Sequence, residues 1–154
     1  MDLGDLIGPE GVVPSLKAKS KKQALQELAA HAARLTRLPE REIFDTLLQR
    51  ERLGSTGVGH GVAIPHGKMP GLTEIKGMFA RLEEPIDFDA VDGEPVDLIF
   101  LLLAPEGAGA DHLKALARIS RLLRETTAVE KLRRSKDAAA LYAVLTEAAT
   151  SHAA

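Results

Sequence analysis

Apolar residues return at helical intervals in the first third of the chain. Ala24, Leu25, Leu28, Ala29, Ala32 and Leu35 share one face of a 3.6-residue period and leave Lys22, Gln26 and Arg34 to water. Ser20 and Gln23 stand at capping-box spacing where this pattern opens. A second helix is expected from about Pro39, a residue suited to a first turn, with Glu40 and Glu42 complementing the positive end of the helix dipole. Its apolar face is Ile43, Phe44, Leu47 and Leu48, and Gly54 is its expected stop. Ahead of both helices, Leu3, Leu6 and Ile7 suit one helical turn and Val12-Val13 a short strand.

Past Gly54 the pattern changes. Pro65 fixes its own φ and pushes Ile64 towards an extended conformation, so Val62-Ala63-Ile64 reads as a strand ending at His66. Residues 75–82 are extended and partly alternating, 83–89 read as a connector, and Asp92-Gly93-Glu94-Pro95 carries turn chemistry. Val96 to Leu103 is continuously apolar apart from Asp97 and closes on Ala104-Pro105, which predicts a central strand covered on both faces. Asp111 is the expected N-cap of a helix reaching about Glu125, with Leu113, Leu116, Ala117, Ser120 and Leu123 in one stripe. Thr127 and Glu130 form another capping-box pair, and a last helix runs from about Asp137 to Ala148 with Leu141, Tyr142 and Leu145. Helices, then strands, then helices argue for one α/β layered domain. It is expected over residues 1–150, with 151–154 as a tail.

Composition narrows the function classes. The chain has 154 residues, 45% hydrophobic and 27% charged, which is an ordinary globular balance with enough length for a sizeable core. A net charge of -2 gives no global field towards nucleic acid or an anionic membrane, so neither is an expected partner. Arg118, Arg121, Arg124, Lys131, Arg133, Arg134 and Lys136 crowd the C-terminal third, where a solvated face is expected and a docking surface is the alternative. The absence of cysteine removes disulfides, a thiolate nucleophile and cysteine–zinc sites. The apolar run from Leu98 to Ala104 is far short of the ~20 residues that span a bilayer, so no membrane insertion is expected. No basic segment followed by an apolar core marks a signal peptide, and the cytoplasm is the expected compartment.

The candidate chemistry gathers in the stretch from Leu53 to Lys68, where Gly54, Gly57, Gly59, Gly61 and Gly67 punctuate the chain. An imidazole at the end of a buried strand, His66, suits proton or phosphoryl chemistry. As a nucleophile it must be neutral, and an ordinary histidine pKa of ~6.5 leaves most of it so at neutral pH. His112 falls in the first turn of its helix, where the dipole disfavours the cation and free N–H groups suit an anion. Arg50 and Arg52 close the second helix, either as cations favoured at a helix C-terminus or as a bidentate clamp on a phosphoryl group. Ser55 and Thr56 offer hydroxyls to an anion or to the turn itself. Gly57-Val58-Gly59-His60-Gly61 lacks the G-x-G-x-x-G spacing, and no G-K-[ST] follows, so a nucleotide loop is not expected. No carboxylates at ligand spacing accompany His60, so no metal and no cofactor are expected. His31 and His152 are read as peripheral.

Arg50-Glu51, Gly54-Ser55-Thr56-Gly57-Val58-Gly59 and Gly61-Val62-Ala63-Ile64-Pro65-His66-Gly67-Lys68 together resemble the active-site signature of the fructose/mannitol-type EIIA family of the bacterial phosphotransferase system. The likeness continues through residues 85–93 and 95–105 to His112-Leu113, and is closest to the nitrogen-related, regulatory branch. It implies a mixed central β-sheet flanked by helices in a single α/β domain. It also implies that His66 is phosphorylated on Nε2 by an HPr-type phosphocarrier, with His112 and Arg50 beside it and Ser55, Thr56 and Gly67 stabilising the phosphoryl oxygens. The partners implied are that carrier and regulatory targets such as potassium-transport proteins or sensor kinases. A sugar-specific EIIA handing phosphate to an EIIB cysteine is the alternative. A binding module that has lost phosphorylation is disfavoured by the presence of both His66 and His112. His60 departs from the branch, which usually has asparagine there.

Overall fold

The computed structural model describes the backbone of residues 2–153 and the side chains of residues 2–147, so Ala148 and His152 lie outside the described side chains. Two 3-10 turns, Leu3–Asp5 and Pro9–Gly11, lead into strand β1, Val12–Leu16. Helix α1, Lys21–Thr36, starts where Ser20 Oγ accepts the Gln23 N–H at 3.1 Å. The Gln23 side chain reaches one residue further back than a capping box requires, to the Lys19 N–H at 2.7 Å. Helix α2, Glu40–Arg52, begins after Pro39, which occupies the cap and not the first turn.

Strands β2 (Gly57–Gly59), β3 (Val62–Ala63), β4 (His66–Met69), β5 (Lys76–Ile86) and β6 (Val96–Pro105) follow. The sheet runs β1-β5-β6-β3-β2, with β4 also paired to β6. Strand β6 is therefore central, and all but two of its ten residues are buried, as its apolar run predicts. The expected connector at 83–89 is strand as far as Ile86. A register shift between Arg81 and Ile86 accommodates Pro85, which cannot donate to a regular ladder. The sheet is mixed: β5 runs antiparallel to β6, while β1–β5, β3–β6 and β4–β6 are parallel.

Three helices close the chain: α3 (Ala110–Leu122), α4 (Thr126–Arg134) and α5 (Ala138–Ala153). Gly109, at φ 54°, caps α3 in place of Asp111, which lies inside the first turn. Thr127 is also inside its helix, because α4 starts from Glu125. Asp137 does cap α5, accepting the Ala140 N–H at 2.9 Å.

Each face of the sheet has its own core. Alternation sends Val62, Ile64, Leu98, Phe100 and Leu102 towards α3, α4 and α5, and Ala63, Met69, Ile99, Leu101 and Leu103 towards α1 and α2. A site at the edge of this sheet can thus be reached from both helical layers.

Candidate functional site

The stretch from Val62 to Met69 is one strand with an interruption. Val62 pairs with Leu98 and His66 with Leu102, so the register survives the gap at Ile64-Pro65. His66 begins β4; the expectation that it ends a strand is corrected. Pro65 has no N–H for the ladder, but its carbonyl accepts the Leu102 N–H at 3.0 Å. Preserved register gives His66 the parity of Val62 and Ile64, on the α3 side of the sheet. Gly67 takes the opposite parity, where a Cβ would meet Thr46 Cγ2 of α2 at 2.7 Å.

His66 Nδ1 lies 2.8 Å from Ile64 O. A carbonyl can only accept, so Nδ1 carries the hydrogen and Nε2 keeps its lone pair in the neutral ring. Nε2 has no hydrogen-bond partner among the described residues. The His112 ring stands 5.6 Å away, centroid to centroid, tilted by 52°. His112 is buried, and its Nδ1 also has no partner among the described residues. Burial, then the neighbouring His66, then Lys68 hold the His112 pKa below its ordinary 6.5, which favours a neutral second imidazole.

The two histidines open into a cleft of about 510 Å³. Its other wall is the helical stripe Thr46, Gln49, Arg50 and Leu53, with Gly67 and Lys68 along β4. Arg50 Nη1 donates to Gly54 O at 2.9 Å, which leaves the rest of its five-donor fork for a ligand. Arg50 and Lys68 bring positive charge to a cleft with no carboxylate in its lining, a setting suited to an anion.

Ser55 and Thr56 do not line this cleft. Ser55 Oγ donates to Phe88 O at 2.7 Å and accepts the Gly57 N–H at 3.0 Å. Thr56 is buried, with its hydroxyl donating to Glu51 Oε2 and its N–H donating to Glu51 Oε1 at 3.0 Å. Glu51 in turn meets Lys21 Nζ at 3.0 Å. Glu51 belongs to the signature but is given no role by it, although its position in the sequence carries a signal of one. It follows Ile43 and Leu47 at four-residue steps, which places a charge on the buried stripe of α2. Gln49 and Thr46 have no sequence signal, because helix packing alone brings them to the cleft that His66 lines, and Lys68 stands in the signature without a role.

His60 lies elsewhere, at the β2–β3 turn. It adopts φ 56°, a left-handed conformation that asparagine also tolerates, which gives the departure at this position a backbone reason. Its N–H donates to Asp92 Oδ2 at 2.9 Å, and its carbonyl accepts from Arg133 Nη2. Arg133 Nε also pairs with Asp97 at 2.8 Å, so this member of the basic cluster fastens the turn to β6. No group of three metal-ligating side chains occurs among the described residues. Nor is any helix among them long and apolar enough to cross a membrane.

Residues 5–148 match the family model described as phosphoenolpyruvate-dependent sugar phosphotransferase system, EIIA 2, and the chain belongs to that family. Within it, the resemblance runs to nitrogen regulatory proteins. The chain is 66% identical over 145 residues to the nitrogen regulatory protein of Bradyrhizobium diazoefficiens, covering 94% of this chain and 95% of that one. The crystal structure of nitrogen regulatory protein IIA-Ntr from Neisseria meningitidis superposes with a TM-score of 0.88 at 38% identity, covering 94% of this chain and 99% of that one. A fructose-specific EIIA component from Haloferax volcanii is 38% identical over 129 residues, with 83% and 84% of the two chains covered.

Proposed function

We propose that this chain is a phosphoryl carrier whose His66 Nε2 accepts phosphate from the phosphohistidine of an HPr-type carrier, and whose phosphorylation state governs its binding to regulatory targets in the cytoplasm. The observation that carries the reading is the Nδ1 contact with Ile64 O, which leaves Nε2 as the free nucleophile. In the transfer, the carrier's P–N bond breaks and a P–Nε2 bond forms. The Nδ1 hydrogen stays in place, and the Ile64 carbonyl offsets the positive charge that the ring acquires.

Positioning and charge stabilisation do most of the work in phosphoryl transfer. Arg50 and His112, which line the cleft with His66, are the donors proposed for the phosphoryl oxygens, while Gly67 keeps a side chain out of the α2–β4 contact. Ser55 and Thr56 serve the loop, since their hydroxyls are committed to Phe88 O and Glu51. Leu53 in the cleft wall stays 85% exposed, and Leu113, which follows His112 in the chain, 67%, apolar surface suited to a protein substrate.

The test incubates the protein with phosphoenolpyruvate, enzyme I and an HPr-type carrier. Acid-labile, alkali-stable phosphate is expected on wild type and not on His66→Ala. Equal labelling of the variant would overturn the assignment. His112→Ala should label more slowly, and unchanged kinetics in both directions would remove its role. The Haloferax likeness supports a second reading, transfer to an EIIB cysteine during sugar uptake. Adding a fructose-type EIIB domain to the phosphorylated protein separates the two, because rapid loss of label would favour transport.

A further inference from the structure

Glu51 is a buried carboxylate that the transfer chemistry does not use, in contact with three donors from two segments. It receives both the N–H and the hydroxyl of Thr56, and it pairs with Lys21 of α1. Lys21 itself lies 4.8 Å from the centroid of the Phe88 ring and 3.8 Å from Asp89. A carboxylate on the apolar stripe of a helix is costly unless fully paired, and here the pairing ties the end of α2 to the chain five residues on.

Between the two ends of that tie lies Gly54, whose carbonyl accepts from Arg50. We propose that Glu51 is a positioning residue: by fastening Thr56 it fixes the Gly54 carbonyl, and that carbonyl aims the Arg50 guanidinium into the cleft beside His66. The inference deepens the phosphoryl-carrier reading and rests on it for its effect on rate. Glu51 touches neither the reacting histidine nor the cleft; it acts through Arg50.

The experiment compares wild type, Glu51→Gln, Arg50→Ala and the double variant in phosphoryl transfer from the HPr-type carrier. Glu51→Gln is expected to slow transfer about 10-fold at saturating carrier, with the KM for carrier little changed. Two residues acting as one unit give a double variant no slower than Arg50→Ala alone. Losses that multiply in the double variant would overturn the proposal, as would a wild-type rate in Glu51→Gln.

Thr56→Val removes the hydroxyl bond while keeping the Lys21 pair, so it covers the case in which Glu51→Gln does not fold. It should show the same dependence on Arg50 at a smaller scale, and Thr56→Ser should restore the rate. A direct readout of Arg50 order, the NMR order parameter of its side-chain Nε–H, keeps the two ideas separable. That parameter should fall in Glu51→Gln and Thr56→Val. If wild type takes no phosphate, the carrier reading fails while the order parameter still decides Glu51; unchanged order overturns the positioning role alone.

Discussion

The loop at Gly54–Gly57 and the cleft between His66 and His112 are both rich in polar groups, yet they use those groups in opposite ways. In the loop, Ser55, Thr56 and the Gly57 N–H and carbonyl all have protein partners. Gly57 packs so tightly on Ala90 that a Cβ would lie 2.9 Å from its Cα. In the cleft, His66 Nε2, His112 Nδ1 and most of the Arg50 fork have no hydrogen-bond partner among the described residues. Buried polar groups are normally satisfied, and His112 Nδ1 in this cleft is a buried one that is not. On the proposed phosphoryl-carrier reading, the glycine-rich segment is the scaffold and the strand after it carries the chemistry.

Four measurements would break or sharpen this contrast. The largest effect is expected from Gly67→Ala, which drives a methyl against Thr46 Cγ2. Overpacking of this kind costs about 1–3 kcal/mol, and urea titration should show it. Removing the opposing methyl with Thr46→Ser should recover most of the loss; failure to recover would mean that the α2–β4 contact is not what Gly67 serves. Next, Ser55→Ala should cost about 1 kcal/mol of stability through its two lost hydrogen bonds, with the phosphoryl-transfer rate kept. A large rate loss at unchanged stability would return Ser55 to the phosphoryl oxygens and erase the contrast.

His112 offers a subtler test through pH. Its folded-state pKa lies below the ordinary 6.5, so as pH falls past 6.5 the unfolded chain takes up a proton that the folded one resists. Stability therefore declines with falling pH until the folded-state value is passed, and is regained above 6.5. His31, lowered by burial and then by Arg34, contributes in the same direction. Urea midpoints for His112→Gln should decline less steeply below neutrality than those of wild type, with the His31 share remaining. The smallest effect belongs to His60→Asn, within about 0.5 kcal/mol, because asparagine also accepts the left-handed turn. A larger loss would show that the imidazole itself supports the Arg133 fastening.

Much of this molecule is legible in its sequence where the signal is local. The period of Ala24 to Leu35, the cap at Ser20 and the unbroken apolar run of β6 each report a nearby physical demand. The signature around His66 likewise singles out the proposed phosphoryl acceptor by its chain neighbours. What stays hidden depends on distant partners. The strand runs on to Ile86 because Ile86 regains pairing with Val96 of β6 beyond the register shift, a distant contact that the connector reading of 83–89 could not show. Thr127 and Asp111 satisfy cap patterns, yet Glu125 and Gly109 hold those positions. Ser55 and Thr56 have the composition of an anion loop, and only the fold shows that Phe88 and Glu51 already occupy their hydroxyls.

The unbroken register across Ile64-Pro65 limits how this chain can change its length. Deleting one residue between Val62 and His66 while keeping the Val62 pairing would turn the imidazole towards Thr46 and α2, away from His112. The histidine would survive in an alignment and be lost to the site. The connector at residues 106–109, between β6 and α3, carries no such parity and can absorb insertions of any count. Lineages of this domain should therefore vary in length at such connectors and hold a fixed residue count from Val62 to His66.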